Sequence, residues 1–193
     1  MPKGTSATEP QPLDQNRIDY FIRPDLSESQ FDAMLHERAE EEAAQIIEQA
    51  LADYGASERS SGRPTYDTVY GSVVNKSTGC HDVAGQPAGG VQISRGGSIF
   101  VSPSGDESVG VSVSLPGGVG SVSVSIPKAR RSLSVTGCAV NISGSGFYKA
   151  TANVTHKIQP YVVYETRNGV RKVYAKNASN MFYHMALNKR KVG

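Results

Sequence analysis

The sequence predicts a mainly β protein: an antiparallel β-sandwich or small barrel of about eight strands, preceded by one amphipathic α-helix. Three observations carry this expectation. Apolar residues recur at helical spacing only over 27–54, and short alternating apolar segments broken by Gly- and Pro-rich turns fill 66–188. Charge is also partitioned. Residues 1–60 hold 13 Asp/Glu against 5 Lys/Arg, net −8, and residues 61–193 hold 5 against 15, net +10, which together make the +2 of the whole chain. Hydrophobic residues make up 38% with no Trp, so a core has to be built from Val, Ile, Ala and Tyr through many small contacts.

Taken in order, residues 1–16 are rich in Pro, Thr, Ser and Gln and read as a disordered tail. An acidic helical segment spans 17–55. Its start, Arg17 to Pro24, alternates weakly and reads as a short strand or extended anchor. Ser27 then caps a helix, with Gln30 as its capping-box partner and Glu28 at the positive end of the dipole. Phe31, Met34, Leu35, Ala39, Ala43, Ile46, Ile47, Ala50, Leu51 and Tyr54 form one face, large at both ends and small in the middle. Gly55 is the expected C′ residue. Glu37, Glu40, Glu41, Glu42 and Glu48 occupy the other face, and Arg38 breaks a strict heptad seam, so this helix packs on a body or a partner.

Residues 56–65 form a polar linker, with Arg59 and Arg63 as bonds open to a trypsin-like protease. The basic β domain follows over 66–188. Strands are expected at 66–74 and 90–102, then in a hairpin over 108–126, then at 132–142 and 147–158, with a basic tail at 189–193. In the 108–126 hairpin, Val109, Val111, Val113 and Leu115 alternate with Gly and Ser up to Pro116-Gly117-Gly118, and Val122, Val124 and Ile126 alternate with serines on the return. A second hairpin, 161–174, turns at Asn168-Gly169, since both residues accept positive φ; a last strand covers 180–187.

Cys80 and Cys138 are an even pair in the body and are expected to form one disulfide. Cys80-His81-Asp82 is no catalytic trio, because successive residues on a strand point to opposite faces. HExxH, paired CxxC, Walker and GxSxG patterns are absent from the sequence and the four histidines are scattered. No enzyme, cofactor or metal site is therefore expected.

The functional expectation is a secreted or surface-associated, non-enzymatic binding protein whose acidic helical pro-segment shields a basic face. That face would comprise Lys128, Arg130, Arg131, Arg167, Arg171 and Lys172, interleaved with Tyr161, Tyr164, Tyr174 and Tyr183. Its partner would be an anionic surface, glycan or lipid, or another protein; nucleic acid is not expected, and self-association through the helix is. The location expected is extracellular or cell-surface, with a signal peptide already removed, and the cytoplasm as the alternative. Two other roles fit the residues. The Val/Ser hairpin over 108–126 resembles the strand pair that a pore-forming or bacteriocin-like toxin inserts into a membrane, although its limbs are short for one. The helix also suits an assembly protein that docks on a neighbouring subunit.

Overall fold

The computed structural model describes residues 18–21, 23–56, 62–101, 107–128 and 138–193, without the side chains of Phe100, Val101, Cys138 and Ala139. The expected tail over 1–16 and most of the linker, Arg59 included, lie outside the described residues. The chain is mainly β, with one helix preceding antiparallel sheets. In order come β1 (Ile18–Phe21), α1 (Glu28–Ala56), β2 (Thr65–Tyr70), β3 (Val74–Ser77), β4 (His81–Asp82), β5 (Val91–Ile93), β6 (Gly97–Val101), β7 (Ser108–Ser114), β8 (Ser121–Pro127), β9 (Cys138–Ile142), β10 (Gly146–Arg167) and β11 (Val170–Lys191).

The frame is the hairpin β10–β11, whose strands are each 22 residues long. Sequence patterning splits each of these strands in two and leaves 189–193 as a tail, whereas the structure makes them continuous and carries β11 through Lys191. Pro160 is tolerated because it sits where the flanking strand is interrupted between β2 and β3; its carbonyl still accepts from the Gly71 amide at 2.8 Å. On that flank β2, β3, β4 and β5 pair with β10 one after another, so the chain from 65 to 93 runs back along it. On the other side β11 carries β1 over Leu187 to His184. The turn is Asn168 (φ 51°) and Gly169 (φ 75°), the pair of positive φ values that a two-residue hairpin needs.

Two layers cover this sheet. Even-numbered β10 residues Tyr148, Ala150, Ala152, Val154 and Ile158 face a core shared with Val113, Val124 and Ile126 of the β7–β8 hairpin and with Val140 and Ile142 of β9. Odd-numbered Tyr161 and Val163 face Ala39 and Ala43 of α1. β11 keeps both faces in phase through a bulge: Thr155 pairs with His184 but His156 with Phe182, leaving Tyr183 as the extra residue. Phe182 therefore joins Met185 and Leu187 on the same face. A second shift leaves Tyr174 extra between Ala175 and Val173.

The helix starts as its sequence dictates. The Gln30 amide donates to Ser27 Oγ at 3.2 Å and the Ser27 amide to Gln30 Oε1 at 2.9 Å, a reciprocal capping box. Its end differs from expectation: Gly55 lies within the helix without a positive φ, and the helix continues to Ala56. The small residues in the middle of its apolar face now have a reason, because fully buried Tyr161 lies under Ala39 and Ala43. The expected disulfide is not formed. Cys80 is a free, exposed thiol preceding β4, which pairs with β10, whereas Cys138 opens β9 in a separate two-stranded sheet with β6. The side chain of Cys138 lies outside the described residues.

Candidate functional site

The closed end of the β10–β11 hairpin gathers three of the expected cations. Arg167 pairs across the turn with Val170, Thr166 with Arg171 and Glu165 with Lys172, so the register fixes which face each occupies. Arg171 lies on the face away from α1. Its guanidinium stacks 3.6 Å from the centre of the Tyr164 ring and is held by Asp67 through two hydrogen bonds, which raise its pKa above the ordinary arginine value. Arg167 lies on the helix face, over the Tyr54 ring at 5.5 Å and beside Glu165 at 3.4 Å. Glu165 also accepts from the Tyr66 hydroxyl at 2.9 Å. Burial first, and that hydrogen bond second, push the Tyr66 phenol up to about 12. Lys172 is exposed.

Apolar exposure concentrates at the same place. Among the described residues five large apolar side chains stand out from the surface, and three of them, Val170 at 60%, Tyr174 at 44% and Val173 at 37%, are on the first turn of β11 after Gly169. Lys176 extends the cationic edge on the far face, where its ammonium donates to the Val119 carbonyl at 2.8 Å. The tip is thus the end of three strands, β2, β10 and β11, with cations on both faces and apolar side chains between them.

The other residues named from sequence lie elsewhere. Lys128, at the open end of the β7–β8 hairpin, pairs with Glu107 at 3.2 Å. Arg130 and Arg131 lie outside the described residues. Of the interleaved tyrosines, Tyr164 and Tyr174 belong to the tip. Tyr161 is fully buried, its hydroxyl held above its ordinary pKa by burial and by the nearby Glu42 carboxylate. Tyr183 packs 5.0 Å from Phe31. The membrane-hairpin residues share one face: Val109 pairs with Ile126, Val111 with Val124 and Val113 with Val122, and Leu115 at the turn is buried. They face the core of the body, and the serines face outward.

Where the acidic helix meets the body, the contact is made by a residue that sequence patterning passed over. Lys157, 2% exposed, donates to Glu28 at 2.7 Å, lies 3.0 Å from Asp32, and sits over the Tyr183 ring at 4.7 Å. Burial alone would lower its pKa, but the hydrogen bonds to the two carboxylates outweigh burial and raise it; the Glu28 carboxyl is correspondingly lowered, first by its hydrogen bond to Lys157. Nearby, His36 bonds Gln159 at 3.1 Å, and Glu42 accepts from Ser179 at 3.1 Å and from the Tyr161 hydroxyl at 3.4 Å. The signal was available: Lys157 and Gln159 share strand parity with Tyr161 and Val163, so polar groups punctuate a buried face and need partners. No known family model, curated protein or solved structure matches this chain.

Proposed function

We propose that this is a non-enzymatic, surface-associated binding protein that engages an anionic surface through the tip of the β10–β11 hairpin. The clustering of exposed Val170, Val173 and Tyr174 with Arg167, Arg171 and Lys172 carries the reading. Cations draw the tip to anionic headgroups, and valine and tyrosine side chains gain by leaving water at a lipid interface, where an aromatic ring keeps its hydroxyl wet. A glycan would use the cations but gain nothing from Val170. The shield role of α1 is retained in reduced form, since its last turns bring Tyr54 onto Arg167 while Lys172 and Val170 stay open. An extracellular or cell-surface location belongs to the same proposal.

Co-sedimentation of the full chain with vesicles containing phosphatidylserine tests it. Lys172→Glu changes two units of charge at the surface and is expected to weaken binding roughly 30-fold. Val170→Ser, which removes apolar surface without changing charge, is expected to weaken vesicle binding by roughly tenfold and to leave heparin binding unchanged. Vesicle binding indifferent to both substitutions refutes the reading.

A second reading, membrane permeabilisation by the β7–β8 hairpin, is favoured by one observation. Among the described residues the hairpin has no strand ladder to the main sheet: β7 and β8 pair with each other alone, and their apolar face is held by side-chain packing. Each limb has 7 residues, against the about 9–11 a membrane strand uses, so its flanks would have to extend it. Dye release from anionic vesicles is its test, and intact vesicles after both acidification and limited proteolysis end it.

A further inference from the structure

The outer edge of β11 between its two bulges is open. Among the described residues no strand pairs with it over Ala175–Phe182, although β1 already adds to the same edge at His184–Leu187. The orientation of its backbone groups follows from the opposite strand. The Pro160 carbonyl is taken by Gly71 and the Val154 amide by Thr78, so even-numbered β10 residues turn their polar groups toward the β2–β5 flank. Their partners across the ladder, Lys176, Ala178, Asn180 and Phe182, therefore turn theirs outward. The Ala178 amide meets only the Asn177 side chain, at 2.8 Å, a local substitute for a missing strand.

We propose that this edge pairs with the same edge of a second copy of the chain, antiparallel about a two-fold axis that sets outward-facing Ala178 opposite Ala178 of the other copy. Three features favour a second copy over a foreign strand. The regular segment is bounded at both ends by bulges, at Tyr174 and Tyr183, which confine pairing to a short stretch whose middle is a self-matching centre. Lysine, the usual guard of an open edge, does not stand in the way, since the Lys176 side chain is drawn beneath the sheet to Val119. The helix completes the fit. α1 lies over both β10 and β11, and strands in a sheet are about 4.8 Å apart, so the two-fold sets the two helices side by side about 10 Å apart, the ordinary distance for packed helices.

The flank of α1 beside β11 carries Met34, Arg38 and Glu41 around Met181, and Gln45 and Gln49 around Tyr174 and Asn177. Glu37 lines the same hollow around Met181, so the flank holds both signs of charge and uncharged amides, whereas Glu40 pairs with His36 on the β2 side. With the helices antiparallel about an axis near Glu42, which binds Ser179, Arg38 of one copy comes alongside Glu41 and Gln45 of the other. The mixed flank is then buried.

Sedimentation of the full chain over a range of concentrations, alone and in added salt, tests the pairing. A reversible monomer–dimer equilibrium is expected. Ala178→Pro, which removes one outward amide hydrogen, is expected to raise the dissociation constant about tenfold or more. Arg38→Glu and Glu41→Arg are each expected to weaken the dimer several-fold, and the combined swap to restore it, a recovery that general destabilisation cannot produce. If Ala178→Pro disturbs the fold, the swap carries the test. A folded monomer at every concentration, or a dimer indifferent to both the proline and the charge reversals, overturns the proposal.

Discussion

β10 and β11 are strands of equal length in one hairpin, yet they live in different surroundings. From Ala150 to Val163, β10 is buried at nearly every position, with short strands along its flank, α1 above and the β7–β8 hairpin below. β11 is half-buried, and over Ala175–Phe182 one of its edges has no neighbour among the described residues. The difference shows which strand holds the molecule together and which one meets the outside. β10 is the spine; β11 is the more exposed strand, with the cationic tip at one end and β1 at the other.

The sharpest way to break this comparison is to place one change on each strand at a matched position. Ile158 and Asn180 face each other across the ladder, Ile158 fully buried and Asn180 half-buried beside His156. Ile158→Asp strands a charge in the core and is expected to cost more than about 4 kcal/mol, abolishing the cooperative unfolding transition. Asn180→Asp is expected to cost under about 1 kcal/mol. Equal damage from both, measured by urea unfolding, would show that the two strands are not as different as their burial indicates.

Packing beneath the helix gives the next effect. Ala43→Leu drives a larger side chain onto buried Tyr161 and is expected to cost about 1–3 kcal/mol by overpacking. Removal of the Lys157 contacts works by asymmetry. Glu28→Ala with Asp32→Ala leaves an ammonium buried without its carboxylates, whereas Lys157→Met leaves two acids that reach water. The double substitution is therefore expected to lower Tm more than Lys157→Met does. The opposite order would mean that the pair is ornamental to helix docking.

The same contact sets a pH dependence. The Glu28 carboxyl is depressed, so the stability it contributes is present above its unfolded pKa and is lost as pH falls through its folded value. The Lys157 pKa is raised, so its contribution is complete below the unfolded lysine value of about 10.4 and is lost as pH rises through the folded one. Helix docking is thus firm across the neutral range and loosens first on the acid side. Asp82, lowered chiefly by its hydrogen bond to Arg190, adds an acid loss of its own at the other end of the sheet. A Tm profile against pH is expected to lose part of its acid limb in the Glu28/Asp32 variant and to keep the part that Asp82 supplies.

Much of this frame was legible in the residues, and the places where it was not have physical causes. Ser27 and Gln30 announce the helix start, Asn168-Gly169 the long turn, and the Val/Ser alternation the β7–β8 hairpin, because each is a local rule satisfied by neighbours in the chain. The continuity of the long strands was hidden. Pro160 reads as a breaker until a gap in the flanking strand accommodates it, and Lys176-Asn177-Ala178-Ser179-Asn180 has weak strand propensity yet pairs with β10 throughout. Charge partition pointed to a meeting of opposite signs. It did not reveal that, among the described residues, the ion pairs joining helix to body converge on one buried lysine, or that Arg171 and Arg190 are held by body acids Asp67 and Asp82. The tip cations were named from sequence, but the valines among them were not, since exposure cannot be read from a strand's composition.

Amide hydrogen exchange in β11, read residue by residue at two protein concentrations, tests the open edge most directly. At high dilution the outward amides of Lys176, Asn180 and Phe182 are expected to exchange far faster than the inward amides of Asn177, Ser179 and Met181, and to become protected as concentration rises. Outward amides as slow as inward ones at every dilution would mean that the edge is already covered by this chain itself, and the account of β11 would be wrong.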